Sequence, residues 1–285
     1  MIQDSGIKFV FFGTPELSVE ILECLKRHGF TPSFVVTNPD RPQGRKMLLT
    51  PPPVKVWATE NHIPYLQPEK LDESFVRKLQ AEKPEVCIVV AYGKIIPKSV
   101  LDVPSKGTLN IHYSLLPKYR GASPIESAIL NDDRHTGVSI LLLDEKMDHG
   151  PLAAERALEF ADWPIRASEL RTAMNNLAGT LLVETLPPFL AGSVKLKSQD
   201  HSKATYTGKF VKNDGLLDLT ADPYKNFLKV MAFDDSIGTY FFTEKAGKKV
   251  RVIVKDAAFK NGQLEIVRVV PEGKKEMPYG VFLQN

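Results

Sequence analysis

Asn110 and His112 stand two residues apart in Gly107-Thr-Leu-Asn110-Ile-His112-Tyr-Ser114, and Asp148 sits in a polar turn further on, Glu145-Lys-Met-Asp148-His-Gly150. A carboxamide can donate hydrogen bonds to an oxygen that gains negative charge, an imidazole can carry a proton near neutral pH, and a carboxylate can orient that imidazole. On a strand, residues two apart point to the same face. A polar pair at the end of an otherwise apolar strand is costly unless something partners it. Each residue alone also has an ordinary reading. His112 can be a hydrogen-bonded core histidine, Asn110 the end of a strand, and Asp148 part of the turn chemistry before Gly150.

Such groups need elements to position them. Ile7 to Phe12 is a near-continuous apolar run, expected of a parallel strand covered on both faces. Gly13 ends it, and Thr14-Pro15-Glu16 predicts a helix start with Thr14 as cap, followed by the stripe Leu17, Ile21, Leu22 and Leu25. Further strands are predicted at 33–37, 86–91, 108–112 and 138–143, with helices at 54–61 and 72–81 between them. This alternation predicts an α/β fold, a doubly wound, mostly parallel, Rossmann-like sheet. Ligands of such sheets bind at the carboxyl ends of the strands, here Gly13, Ala91 to Ile96, and His112 to Pro117. A long helix is expected from Arg166 to about Thr185, broken by Pro187-Pro188. The expected organisation is a first domain over 1–190, a linker over 191–210, and a small β-rich domain over 211–285. The last is predicted to hold a helix at 223–232 and strands at 238–243, 250–255 and 263–270.

Composition narrows the chemistry. Of 285 residues, 43% are hydrophobic and 25% charged, the balance of a globular chain. The single glycine in Gly13-Thr-Pro-Glu16 lacks the three-glycine fingerprint for a dinucleotide, and no Gly-Lys-Ser/Thr phosphate loop occurs. The six histidines show no paired metal spacing, so no metal is expected. Cys24 and Cys87 form no disulfide framework. The N-terminus, with Asp4 and a short apolar run, does not read as a signal peptide, and no stretch is apolar enough to span a bilayer. A cytoplasmic, monomeric protein is expected. Net charge is +3, and from His201 onward fourteen Lys and Arg face ten Asp and Glu. A mildly basic tail suits a polyanion, though it also describes many solvated surfaces.

Asn110-Ile-His112, Ser114-Leu-Leu-Pro117 and Asp148 together resemble the active-site signature of folate-dependent formyltransferases. The run Ser114-Leu-Leu-Pro-Lys-Tyr-Arg-Gly-Ala-Ser-Pro-Ile125 is especially close. The resemblance implies a formyltransferase fold and transfer of a formyl group from 10-formyltetrahydrofolate to an amine. By resemblance, Asn110 donates to the developing oxyanion, His112 acts as proton carrier or second oxyanion donor, and Asp148 orients the imidazole. Ala91-Tyr92-Gly93-Lys94-Ile95-Ile96-Pro97 resembles the family's folate-binding segment. With Ser114, Leu115, Leu116 and Pro117 it gives the folate candidates Tyr92, Gly93, Ile95 and Ile96. His149 departs from the family, which usually has a small or polar residue there, and it reads as a surface histidine.

Two segments address the acceptor amine. The run from Asn38 to Lys55 resembles the long loop that the tRNA-acting branch of the family inserts after its second strand. Arg41, Arg45 and Lys46 could engage phosphates there, while Met47 and Leu48 replace the cations usual in relatives and could stack or wedge. Gln199 to Lys209 and Pro271 to Met277 resemble that branch's linker and C-terminal domain, an oligonucleotide-binding (OB-like) β-barrel. This implies Lys203, Lys209, Lys212, Lys248, Lys249, Arg251, Lys274 and Lys275 as tRNA-contacting residues, and methionine on initiator tRNA as the acceptor. The alternative is a nucleotide-linked amino sugar, disfavoured by the loop and the basic tail. Only about three strands are evident where a full barrel has five, because the stretch between Lys255 and Gln263 is short; a reduced barrel is expected.

Overall fold

The computed structural model describes residues 6–284 except Arg45 and Ala246. The chain divides into two compact units. One comprises the chain up to Arg120, Gly137–Ala157 and Met174–Thr205; the other comprises Gly121–Thr136, Leu158–Ala173 and the chain from Tyr206 on.

The strands are β1 (Phe9–Gly13), β2 (Phe34–Val36), β3 (Arg41–Gln43), β4 (Leu48–Thr50), β5 (Tyr65–Leu66), β6 (Val86–Val90), β7 (Thr108–His112), β8 (Arg120–Gly121), β9 (Thr136–Leu142), β10 (Leu152–Leu158), β11 (Tyr206–Thr207), β12 (Thr239–Lys245), β13 (Lys248–Lys260), β14 (Gln263–Pro271) and β15 (Met277–Pro278). The helices are α1 (Glu16–Arg27), α2 (Pro53–Glu60), α3 (Glu73–Glu82), α4 (Lys98–Leu101), α5 (Pro124–Leu130), α6 (Ala167–Leu190), α7 (Pro223–Ala232) and α8 (Tyr279–Gln284).

A seven-stranded sheet has the order β10-β9-β7-β6-β1-β2-β5. β1 pairs in parallel with β2 and β6, β6 with β7 and β2 with β5, whereas β9 runs antiparallel to β7. Phe9, Val10, Phe11 and Phe12 are each fully buried, as a strand covered on both faces requires. Strand order reverses at β1, between β2 and β6, and such a switch point opens a crevice at the strands' carboxyl ends. Both sides of the switch are pinned there. Ser18, fully buried on α1, donates to the Val90 carbonyl at 2.7 Å and accepts from the Thr14 amide at 3.3 Å.

Thr14 does not cap α1. Pro15 occupies that position without a side-chain bond, and the Thr14 hydroxyl donates instead to the Tyr92 carbonyl at 3.2 Å. Tying two strand ends together has displaced a local cap. The helix expected to stop before Pro187 continues to Leu190. Both prolines fall in its last turn, where their carbonyls accept from the Ala191 and Ser193 amides and close the helix end.

In the second unit β12, β13, β14 and β15 form one antiparallel sheet in sequence order. Its core contains Leu217, Val230, Phe241, Val252, Val254 and Val269. The short stretch after Lys255 is not a loop. β13 runs on to Lys260, and Asn261-Gly262 turns it back, both at positive φ (50° and 75°), as a two-residue type I′ hairpin demands. With β15 this sheet has four strands among the described residues, one more than the sequence pattern suggested.

A Cβ at Gly13 would lie 2.6 Å from the Phe11 ring and 2.7 Å from Ser18 Cβ. Gly13→Ala is therefore expected to lower unfolding stability by about 1–3 kcal/mol in urea titration; an unchanged midpoint would show that the strand end is not packed this tightly.

Candidate active site

His112 ends β7 and is 5% exposed. Its Nε2 lies 2.8 Å from the Tyr119 carbonyl oxygen. A carbonyl can only accept, so Nε2 carries the proton and Nδ1 is the nitrogen left open to exchange. Nδ1 faces Asp148 Oδ2 at 3.6 Å. That is too long for a good hydrogen bond but within ion-pair reach, and the two side chains are only 6% and 13% exposed. Asn110 shares the His112 face of β7. It is half-buried, and its carboxamide has no hydrogen-bond partner among the described residues. The three candidates thus fall within one unit, with His112 and Asp148 adjacent and Asn110 on the same strand face.

Both partners of the imidazole sit on unusual backbone. Tyr119 has φ 58° and Asp148 φ 48°, the left-handed region that side chains other than glycine seldom adopt. Surrounding bonds hold them. The Tyr119 amide donates to Thr205 Oγ1 at 2.8 Å, and the Arg120 amide to the Thr205 carbonyl at 2.8 Å. Gln199 Nε2 donates to the Asp148 carbonyl at 2.9 Å and to the Gly150 carbonyl at 2.7 Å. The stretch expected to be a linker therefore supplies two residues, Gln199 and Thr205, that support the site. Composition gave no sign of them; their only sequence signal was the segment's resemblance to the family.

The Ser114-Leu-Leu-Pro117 segment is built from within. Ser114 is fully buried, its hydroxyl donating to the Lys118 carbonyl at 2.6 Å. Ser139 of β9, not singled out from the sequence, donates to the Ser114 carbonyl at 2.8 Å and accepts from the Leu116 amide at 3.1 Å. Leu116 is core, while Leu115 and Pro117 are half-buried. At the end of β6, the Tyr92 ring is 2% exposed and packs edge-on to Phe12, with ring centres 5.4 Å apart. The ring belongs to the core, and burial pushes its phenol up to about 12. Its carbonyl accepts from Thr14 and Asn38. Gly93 has φ 80°, and a Cβ there would meet only Asn38 Nδ2, at 3.8 Å. Ile95 is 88% exposed, whereas Ile96 packs against the core. A cavity of about 370 Å³ lies elsewhere in this unit, lined by Gln67, Glu69, Asp72, Phe75 and neighbours, and holds none of the three candidates.

His149 is not an isolated surface residue. Its Nδ1 lies 2.6 Å from Asp144 Oδ2, and its ring stacks on His201 with centres 3.9 Å apart and planes 2° from parallel. Arg120 Nη2 reaches His201 Nδ1 at 2.8 Å, and since a guanidinium only donates, that nitrogen is unprotonated. Cys87 is buried, and its thiol is pushed up to about 12 by that burial.

Apart from Arg251, the charged candidates among the described residues are exposed. Arg41 pairs with Glu69 at 2.7 Å and Lys203 with Asp200 at 3.1 Å. Arg45 lies outside the described residues. Arg41 and Lys46 belong to the β3–β4 hairpin, where Met47, Leu48 and Leu49 are 64–69% exposed. In the second unit Lys209, Lys212, Lys248, Lys249, Lys274 and Lys275 are exposed, and Arg251, half-buried, stacks on Tyr240 at 4.0 Å. Among the described residues no cluster could hold a metal ion, and no helix is long and apolar enough to cross a membrane.

Residues 7–186 match the model of the formyl transferase family. The chain is 40% identical over 257 residues to a methionyl-tRNA formyltransferase of Chloroflexus aurantiacus, covering 90% of this chain and 82% of that one. A solved methionyl-tRNA formyltransferase from Clostridium thermocellum has a similar fold, with TM-score 0.62 at 17% identity, over 93% of this chain and 98% of that one. So has HypX of Aquifex aeolicus, solved with tetrahydrofolic acid, with TM-score 0.66 at 18% identity, over 98% of this chain and 47% of that one.

His201 titrates below its ordinary value of 6.5, chiefly through partial desolvation, then through repulsion by His149 and Arg120, while Asp144 pulls the other way. NMR titration is expected to place its midpoint below 6.5, lower still in Asp144→Asn and higher in His149→Ala. A midpoint insensitive to both changes would refute the electrostatic account.

Proposed function

This chain belongs to the formyl transferase family, and from that premise we propose that it transfers a formyl group from 10-formyltetrahydrofolate to the α-amino group of methionine on initiator tRNA. The observation that carries the reading is the His112 ring, held at Nε2 by the Tyr119 carbonyl and faced at Nδ1 by Asp148, on the strand face that also bears the unpartnered Asn110 carboxamide.

The donor supplies a formyl carbon on N10: the new bond to the amine nitrogen forms, the bond to N10 breaks, and a proton passes from the amine to N10. In this reading Asn110 donates to the formyl oxygen as it gains charge, a contribution on the order of 3 kcal/mol when the donor is already in place. His112 Nδ1 takes the amine proton and returns it to N10. Asp148 stabilises the positive charge that the ring then carries. The protein's side of the donor site is consistent with a flat, polar-edged ring. Gly93 leaves an open approach at the strand end, and Asn38 Oδ1 beside it is a buried acceptor without a donor. Ser114 to Pro117, Ile95 and Ile96 would wall the slot, with Tyr92 contributing backbone rather than its ring.

Three features favour a tRNA acceptor over an amino sugar. The β3–β4 hairpin carries Arg41 and Lys46 beside the exposed Met47, Leu48 and Leu49, an apolar surface suited to stack on a terminal base pair, and Arg45 adds a cation to the same stretch of sequence. The second unit presents Lys209, Lys212, Lys248, Lys249 and Arg251. The relative sharing 40% identity bears the name of that activity over most of its length. A reaction on charged tRNA also suits a cytoplasmic protein, and a monomer would suffice because the proposed catalytic groups come from one chain.

Formyl transfer from labelled 10-formyltetrahydrofolate should occur with charged initiator tRNA and not with a nucleotide-linked amino sugar; the opposite preference would refute the acceptor assignment. Asn110→Ala is expected to lower kcat about 10²–10³-fold. His112→Ala should abolish turnover while leaving tRNA affinity within a few-fold, by filter binding, and retained turnover would remove His112 from the chemistry.

A further inference from the structure

Gln199 is 7% exposed and uses all four of its hydrogen-bonding positions. Oε1 accepts from Arg120 Nε at 3.2 Å and from Arg120 Nη2 at 2.6 Å, and Nε2 donates to the Asp148 and Gly150 carbonyls. The orientation of the amide follows from chemistry, because a guanidinium cannot accept and a carbonyl cannot donate. Arg120, 1% exposed, directly follows Tyr119, whose carbonyl holds His112 Nε2. Asp148 faces the other ring nitrogen. One side-chain pair therefore spans the two backbone segments that grip opposite edges of the imidazole. The Asp148 segment cannot easily settle differently, since a Cβ at Gly150 would lie 1.8 Å from the Leu142 carbonyl oxygen.

We infer that Gln199 and Arg120 form a positioning clamp that sets the separation of Asp148 from His112 and so tunes formyl transfer without touching either substrate. The inference rests on the proposed roles of His112 and Asp148. Its force comes from the left-handed backbone at both segments: Tyr119 and Asp148 each hold a conformation that is strained for a residue with a side chain and persists only where surrounding bonds over-determine it.

Gln199→Glu separates the clamp from mere burial of Arg120. The carboxylate has nearly the same shape and still accepts from Arg120, but it has nothing to donate to the two carbonyls. The expected result is a fall in kcat of about 10–100-fold, the size of effect that loss of partners orienting a metal's ligands has, taken here for a pair that orients the partners of an imidazole. KM for either substrate should change by less than about twofold. Combining Gln199→Glu with Asp148→Asn should lower kcat little beyond Asp148→Asn alone, because both changes act on one interaction. Arg120→Lys, which keeps the charge but loses the fork, supplies the same comparison if Gln199→Glu does not fold. A folded clamp variant with wild-type kcat, or losses that multiply with Asp148→Asn, would overturn the clamp. Should Asp148→Asn alone turn over at the wild-type rate, the roles given to His112 and Asp148 would fall first, a result distinguishable from failure of the clamp.

Discussion

The hydrogen bond from His112 Nε2 to the Tyr119 carbonyl decides what the rest of the site can do. An imidazole free to rotate could offer either nitrogen. Once a carbonyl claims one N–H, the tautomer is fixed and all proton exchange falls to the other edge. That edge faces Asp148, and the strand bearing the ring also bears Asn110 two residues earlier. The side chain that can carry a proton and the one that can donate to an oxygen gaining charge are thus related by the pleat of a single strand, whose register is locked between β6 and β9. A slip of one residue would turn both to the opposite face.

Such a fixed ring needs a rigid frame, and the sheet provides it. β1, β6 and β7 are buried almost throughout, so they place their carboxyl ends with little freedom. The ends are then tied laterally by Ser18 to Val90, by Thr14 and Asn38 to the Tyr92 carbonyl, and by Ser139 to Ser114 and Leu116. Each tie satisfies a backbone group that would otherwise be stranded where the strand pairing stops. The crevice is open because strand order reverses at this point, and it is ordered because small polar side chains close its hydrogen-bonding account.

Much of this was legible in the chain. The apolar runs at 7–12 and 86–91 and the Thr108 to His112 strand predict a doubly wound sheet, whereas Asn110, His112 and Asp148 are unremarkable singly and stand out only as a set that resembles the family's signature. The misses share a cause. Thr14-Pro15-Glu16 predicts a local cap, but Thr14 serves a partner 78 residues away. Gln199 and Thr205 lay in a stretch without periodicity, and their importance comes from contacts back to residues 119–150. Ser139, one small residue within a strand, carries no pattern that marks its bonds to Ser114 and Leu116. Pattern reading captures periodic burial and near-neighbour chemistry; it cannot see a side chain whose partners are distant in sequence. The Asn261-Gly262 hairpin is different, because that dipeptide is a strong short-range turn signal within the stretch counted only as short.

The second unit shows how a reduced sheet can still present charge in an ordered way. Arg251 lies over Tyr240 and Lys249 over Phe242, pairs formed between the adjacent strands β12 and β13. A lysine or arginine free in solvent loses considerable rotamer entropy when it engages a phosphate. One already resting on an aromatic face has lost part of it on folding. Under the proposed tRNA reading, cations held in this way give up less freedom on meeting a phosphate than mobile lysines do. On that argument, the proposed tRNA contacts of Lys249 and Arg251 depend on Phe242 and Tyr240 as much as on the charges themselves.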